Sequence, residues 1–230
     1  MLNLDYGIIG NCKSAALVTE RGSIEWLCLP VFDSASVFAK ILDKNRGGSF
    51  EIETNEDYQH TQRYLPKTNI LLTKFTNGKD TFEVLDFMPR YHYHNSDQQV
   101  YSPPDVIRYI KWISGKPRFK VLYNPQLEYG ERKTITELRT EFVKSFTKSG
   151  AYDSLYLYTN VEKEKVINGH EIVFDNDIYF LVSYNQKLLK QSIDRAYLKL
   201  QRTKVYWLHW SEDTHKFSHY NDEILRSALV

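Results

Sequence analysis

Over residues 15–184 the chain is built of short apolar or alternating runs separated by turn residues, and this pattern restricts it to a sheet-rich fold. Two hairpins stand out. Residues 70–75 and 81–87 flank Asn77-Gly78, a pair that readily takes the positive φ angles of a tight turn. Residues 16–18 and 24–27 flank Arg21-Gly22-Ser23 in the same way. Further strands are expected at 50–53, 106–113, 119–123, 141–147, 155–159, 171–174 and 178–184, and Asn168-Gly169 marks another turn. Roughly a dozen strands exceed the seven of an immunoglobulin-type sandwich. No Pro-, Gly- or Ser-rich linker divides them, so one large sandwich is expected rather than two small ones. The 17 Tyr and 12 Phe suit half-buried pleated surfaces. One short helix is expected near 36–42, capped by Ser34 or Ser36 and stopped by Gly47.

After Tyr184 the period changes. Leu189, Ile193, Tyr197, Leu200 and Trp207 recur at helical steps, which predicts an amphipathic helix of about five turns. A second helix is expected to open at Asn221-Asp222-Glu223, with Ile224, Leu225, Ala228 and Leu229 on one face and its acids at the positive end of the dipole. It runs to Val230 without Gly, Pro or polar punctuation, which is the pattern of a chain cut inside an element.

Charge narrows the partners. Thirty Lys+Arg against 29 Asp+Glu leave a formal net charge of +1, so no global field favours nucleic acid or an anionic membrane. No window approaches the roughly 18 apolar residues of a membrane span, and the N-terminus carries no secretory pattern. Two cysteines, Cys12 and Cys28, are too few for a disulfide framework and suit a reducing compartment, so a cytoplasmic protein is expected.

Three blocks carry a resemblance: YGIIGNCKSAALV at 6–18, GSIEWLCLPVFDS at 22–34 and SVFAKILD at 36–43. Supporting blocks follow in order at Gly47-Gly48, Tyr64-Leu65-Pro66, VLDFMP at 84–89, Arg108, Gly115, PQLEYG at 125–130, WLHW at 207–210 and RSAL at 226–229. Together they resemble the start of glycoside hydrolase family 15, glucoamylase-like or trehalase-like. The resemblance implies an all-β fold, a β-supersandwich of two large antiparallel sheets with a C-terminal helical linker. It divides the chain into a sandwich at 1–185, a linker at 186–219 and the first residues, 220–230, of an (α/α)₆ catalytic barrel.

That barrel would be the principal partner, and the substrate an α-glucoside oligosaccharide or trehalose. Inverting hydrolysis uses one carboxylic acid and one carboxylate roughly 6.5–9.5 Å apart. The resemblance puts both glutamates in the barrel, so no catalytic residue is expected here, and neither a metal nor a cofactor. Glu25, Asp33, Asp86 and Glu128 are acids that no spacing pairs. Phe32 and Asp33, in the loop Pro30-Val31-Phe32-Asp33-Ser34, are the candidates for the rim of the barrel's active site. Val31 stands where the family usually carries Arg, which removes a bidentate donor. Trp207 and Trp210 are the candidates for the junction between sandwich and barrel, where an apolar patch would be exposed without the barrel.

Other constellations read as structural. His92 and His94 share a strand face but lack a third ligand, and His215 and His219 lack the Glu of a metalloprotease helix. Cys12 reads as a structural thiol, and Gly7, Gly10 and Gly22 as turn glycines rather than a dinucleotide fingerprint. Trp26, Trp112, Trp207 and Trp210 read as core or interface. Two further functions stay open: an independent carbohydrate-binding module for α-glucans, and a mutarotase- or epimerase-like sandwich enzyme.

Overall fold

The computed structural model describes residues 5–93, 96–214 and 219–229, with the side chains of 96–97 left aside. Two large antiparallel sheets face each other. The first has seven strands: β1 (Tyr6–Gly10), β2 (Ala15–Thr19), β3 (Ile24–Cys28), β5 (Ser49–Glu53), β12 (Arg118–Asn124) and β16 (Ile172–Val173) in that order, with β4 (Ser36–Phe38) beside β3. The second has eight: β13 (Thr134–Leu138), β14 (Val143–Thr147), β15 (Ser154–Thr159), β17 (Ile178–Tyr184), β11 (Asp105–Ser114), β8 (Thr81–Phe87), β7 (Leu71–Thr76) and β6 (Gln59–Tyr64). A separate hairpin joins β9 (Tyr91–Tyr93) to β10 (Ser96–Tyr101). The helices are α1 (Lys163–Ile167), α2 (Ile193–Glu212) and α3 (Asn221–Ala228), and none is long and apolar enough to cross a membrane.

The fold is therefore the all-β sandwich with a C-terminal helical part that the sequence pattern predicts. Both faces of the central strands of the eight-stranded sheet are buried, which explains their apolar runs. In β17, Ile178, Phe180 and Val182 point between the sheets, while Tyr179 and Leu181 point outward beneath α2. In β11, Val106 and Ile110 belong to the inner core and Ile107 and Tyr109 to the outer one. Successive residues of a strand alternate sides, so a strand covered twice loses the apolar–polar alternation of a half-exposed one.

Three expectations are corrected. Residues 36–42 form no helix: β4 pairs with β3, and Val37 and Phe38 are buried in the sandwich. The chain then turns so tightly that a Cβ on Gly47 would lie 2.1 Å from the Ala39 carbonyl oxygen, and Ala39 N–H donates to Gly47 O at 2.7 Å. Core burial of Phe38 thus overrides the local cap signals. The turn after β7 spans four residues rather than Asn-Gly alone. Thr76 pairs with Thr81, Asn77 Oδ1 accepts from the amides of Lys79 and Asp80, and only Gly78 has positive φ.

The third correction concerns the phase of α2. Its buried stripe is Ala196, Leu200, Thr203, Trp207 and Ser211, whereas Tyr197 is half exposed and Leu189 precedes the helix in solvent. Small polar side chains face inward because they have local partners: Arg90 N–H donates to Thr203 Oγ1 and Ser211 Oγ to Leu208 O. Counting hydrophobicity alone selects the bulkier neighbours instead.

Candidate functional site

Sheet topology gathers the candidate loops at one end of the sandwich. The connections β1–β2, β3–β4, β6–β7, β12–β13 and β14–β15, the start of β11 and the end of β17 all lie at that end, because each antiparallel register starts or stops there. Residues 30–34 form the β3–β4 loop. It closes on itself through Ser34 N–H to Val31 O (3.1 Å) and Val31 N–H to Ser34 Oγ (3.2 Å). Phe32 is 60% exposed and Asp33 lies in solvent beside it.

The loop is held from below. Phe32 N–H donates to Lys13 O at 3.0 Å, which ties it to the turn at 11–14. Asn11 organises that turn: its Oδ1 accepts from the amides of Lys13 and Ser14, its Nδ2 donates to Pro103 O, and its carbonyl accepts from Arg90 and Ser102. A buried Asn can satisfy both ends of its amide only when partners converge on it, as they do here. Cys12, exposed at φ 63°, sits at the tip. Asn69 Nδ2 donates to Gly10 O, and Asn69 Oδ1 accepts from Arg226 of α3 at 2.8 Å.

The Arg226 guanidinium also donates to Thr68 O (3.3 Å) and lies 3.7 Å over the Tyr64 ring. Tyr64 in turn crosses to the other sheet, where its hydroxyl accepts from Ile8 N–H (2.7 Å) and donates to Ile8 O (3.0 Å). One phenol thus satisfies two groups on the outer edge of β1, and α3 clamps that phenol. Tyr64 and Arg226 both stand in blocks that carry the family resemblance, yet no sequence spacing signals that they meet.

The acids are engaged within the chain. Tyr6 donates to Glu25, Arg108 to Asp86, and Arg132, Thr147 and the Ala151 amide to Glu128. Asp33 alone of the four faces solvent, in the 30–34 loop. Among the described residues no group of three or more His, Cys, Asp or Glu could hold a metal ion. His94 and His215 lie outside the described residues.

The junction candidates separate. Trp207 is 2% exposed, packed on the outer face of the eight-stranded sheet with Leu200, Ile107 and Leu181, and Trp210 is part-buried against it at 6.0 Å between ring centroids. Exposure of Trp207 without a barrel is not found, because the sandwich itself covers the ring. A groove of about 680 Å³ runs beside α2, lined by Tyr91, His92, Gln201, Arg202, Val205 and Tyr206. Arg202 lies 4.0 Å over the Tyr91 ring and Arg90 lies 5.0 Å over Tyr206, so each ring already carries a guanidinium on one face.

The chain matches the family described as trehalase-like, N-terminal over residues 5–159. It is 31% identical to a trehalase of Thermoplasma volcanium over 98% of this chain and 36% of that protein. It is 32% identical to a trehalase of Thermoplasma acidophilum over 93% of this chain and 37% of that one. A trehalase of Mycolicibacterium smegmatis is 23% identical over 90% of this chain and 34% of its own length. The chain therefore spans about a third of the length of these relatives.

Proposed function

The chain belongs to the trehalase-like N-terminal family, and from that premise we propose that it is the non-catalytic domain that folds beside and positions the catalytic domain of a glycoside hydrolase of family 15. The observation that carries this reading is coverage: nearly all of the chain aligns with only about a third of each trehalase. In this reading residues 1–185 are the sandwich, 186–219 the linker and 220–230 the start of an (α/α)₆ barrel. The barrel supplies the acid and base glutamates for inverting attack of water on the glucoside. Trehalose is the favoured substrate, ahead of the malto-oligosaccharides of a glucoamylase, and the protein works in the cytoplasm.

Phe32 and Asp33 would meet the barrel's active-site rim, with Val31 offering apolar contact where an Arg would offer hydrogen bonds. Trp207 and Trp210 support the junction indirectly, by fixing α2 on the sheet that the barrel follows. A free-standing carbohydrate-binding module is less favoured, because the rings beside α2 are already occupied by Arg90 and Arg202. Glucose release from trehalose, maltose, maltotetraose and isomaltose tests the reading, with the 230-residue chain beside the longest natural chain containing it. Release by the long chain alone, fastest from trehalose, is expected; turnover by the short chain would place catalytic acids here instead.

A further inference from the structure

The end of the sandwich away from the candidate loops holds a polar cleft. The β2–β3 turn, the β5–β6 connection and the β7–β8 turn lie at that end, opposite to where the other registers close. There β3 meets β5 at the pair Ile24↔Phe50, and beyond it the two strands part. Between them lies a cleft of about 570 Å³, inside the range of roughly 300–1,000 Å³ typical of small-molecule sites. Arg21 and Ser23 line one side, Glu53, Asn55 and Glu56 the other, and His60 joins them from β6 of the second sheet.

These side chains differ from comparable groups elsewhere in what they leave unmade. Glu25, Asp86 and Glu128 accept hydrogen bonds within the chain, and Glu51 at the margin of the cleft pairs with Lys40. Among the described residues, Arg21, Glu53, Asn55, Glu56 and His60 make no side-chain hydrogen bond or ion pair. Ser23 is 7% exposed, and its buried hydroxyl has no partner either. Buried hydroxyls are ordinarily hydrogen-bonded, so this one is open to a partner from outside the chain.

The lining selects the ligand by chemistry. With Glu51 paired, two carboxylates face one guanidinium, a weak field of mixed sign that suits neither a polyanion nor a strong polycation. Glu53 and Glu56 only accept, Arg21 only donates, and Asn55 and Ser23 do both, so the matching groups are hydroxyls, which also do both. The His60 ring, 6.3 Å from that of Phe75, adds a flat aromatic surface. We propose that this cleft is an accessory binding site for a neutral polyhydroxylated ligand, a sugar of one or two rings. The choice of glucose units among such ligands rests on the trehalase-like reading above.

The test uses the long natural chain and hydrogen exchange read by mass spectrometry on peptides spanning 19–24 and 52–60. Glucose is the first probe, because hydrolysis does not consume it, and trehalose is the second. A ligand held only by the closed cleft suppresses opening in proportion to its saturation, so at about ten times Kd exchange in both peptides is expected to slow about tenfold. Unchanged exchange at about 100 mM sugar, where even a Kd of about 10 mM would show, overturns the site. Slowing confined to 29–34 places the sugar at the loop end and also overturns it. Glu53→Gln combined with Glu56→Gln is expected to raise the half-effect concentration about tenfold, since two charged acceptors are lost; an unchanged value overturns the assignment. Protection kept in β11 and β17 shows that the variant is folded. Should it unfold, the wild-type chain decides: slowing by sugar but not by spermidine or inorganic phosphate upholds the proposal, and slowing by either ion alone overturns it. Slowing in a chain that releases no glucose from trehalose leaves the site standing and removes the proposed activity; glucose release without slowing does the reverse.

Discussion

The eight-stranded sheet buries an acid with a base on each of its faces, and the two pairs are built differently. On the inner face Arg108 and Asp86 stand directly opposite each other on β11 and β8, both fully buried. Arg108 donates to both carboxylate oxygens, at 2.8 and 3.1 Å, to Phe50 O at 2.7 Å, and to Gly22 O. Its guanidinium lies 4.9 Å over the Phe50 ring. One side chain therefore stitches the two sheets together through three contacts, the Phe50 and Gly22 carbonyls and the Phe50 ring, while its other two bonds hold Asp86 in its own sheet. On the outer face Asp105 is equally buried, but Lys199 Nζ stands 3.7 Å away and neither carboxylate oxygen has a hydrogen-bond partner among the described residues. Burial pushes the Asp105 carboxyl above its ordinary range and the Lys199 amine below its own, with their mutual attraction opposing both shifts.

The lesson is that burial of a charge pair says little until its hydrogen bonds are counted. Arg108 is planar and forked, so it can satisfy a carboxylate and two carbonyls at once; Lys199 is a single flexible point charge. The inner pair joins two layers, whereas the outer pair lies under a helix that could be held by its apolar stripe alone.

The largest effect is expected at Arg108. Replacing it with Met leaves Asp86 buried without a counter-charge and the Gly22 and Phe50 carbonyls without donors, so a loss of about 3–5 kcal/mol is expected. Urea unfolding measures it, and a loss below about 1 kcal/mol would mean that the sheets do not depend on the pair. The next effect is Trp207→Ala, expected to cost about 3 kcal/mol through a cavity on the outer face. Hydrogen exchange sharpens the contrast: protection should fall in α2 while β5 and β12, across the sandwich, keep theirs.

The smallest effect is the most discriminating. Asp105→Asn combined with Lys199→Met is expected to stay within about 1 kcal/mol of wild type at pH 7, or to gain stability, because the outer pair has few hydrogen bonds to lose. The pH dependence has a definite sign. A raised carboxyl binds its proton more tightly in the folded chain, so its contribution is fully present below the ordinary value of about 3.9 and is lost as pH rises through the raised one. The double variant should therefore gain on wild type between acid and neutral pH, read as denaturation midpoints at each pH. A constant difference would show that Asp105 titrates normally.

Legibility followed burial. Strands covered on one or both faces, such as β8, β11 and β17, announce themselves as apolar runs, and β17 occupies the predicted residues. Edge strands do not: β6 reads QHTQRY and exposes alternate polar side chains, so nothing in its composition distinguishes it from a loop. The β13 strand, at the other edge of the same sheet, is similarly half polar. The loop Pro30-Val31-Phe32-Asp33-Ser34 was legible as a candidate from its motif, whereas Tyr129, whose hydroxyl donates to Ser34 O, was not, since it lies about 95 residues away along the chain and meets the loop only after the sheets form.

Local features are legible in the residues alone: which runs pleat, where the period changes from two to 3.6 residues at the end of β17, and which family the motifs belong to. Long-range packing settles that Arg108 faces Asp86, that α2 turns Thr203 and Ser211 inward, that Tyr64 reaches Ile8 beneath Arg226, and that the apolar loops collect at one end. The reason is physical. Periodicity is set by bond geometry between neighbouring residues, whereas these contacts depend on strand order and register, which the chain settles only when distant segments close on one another.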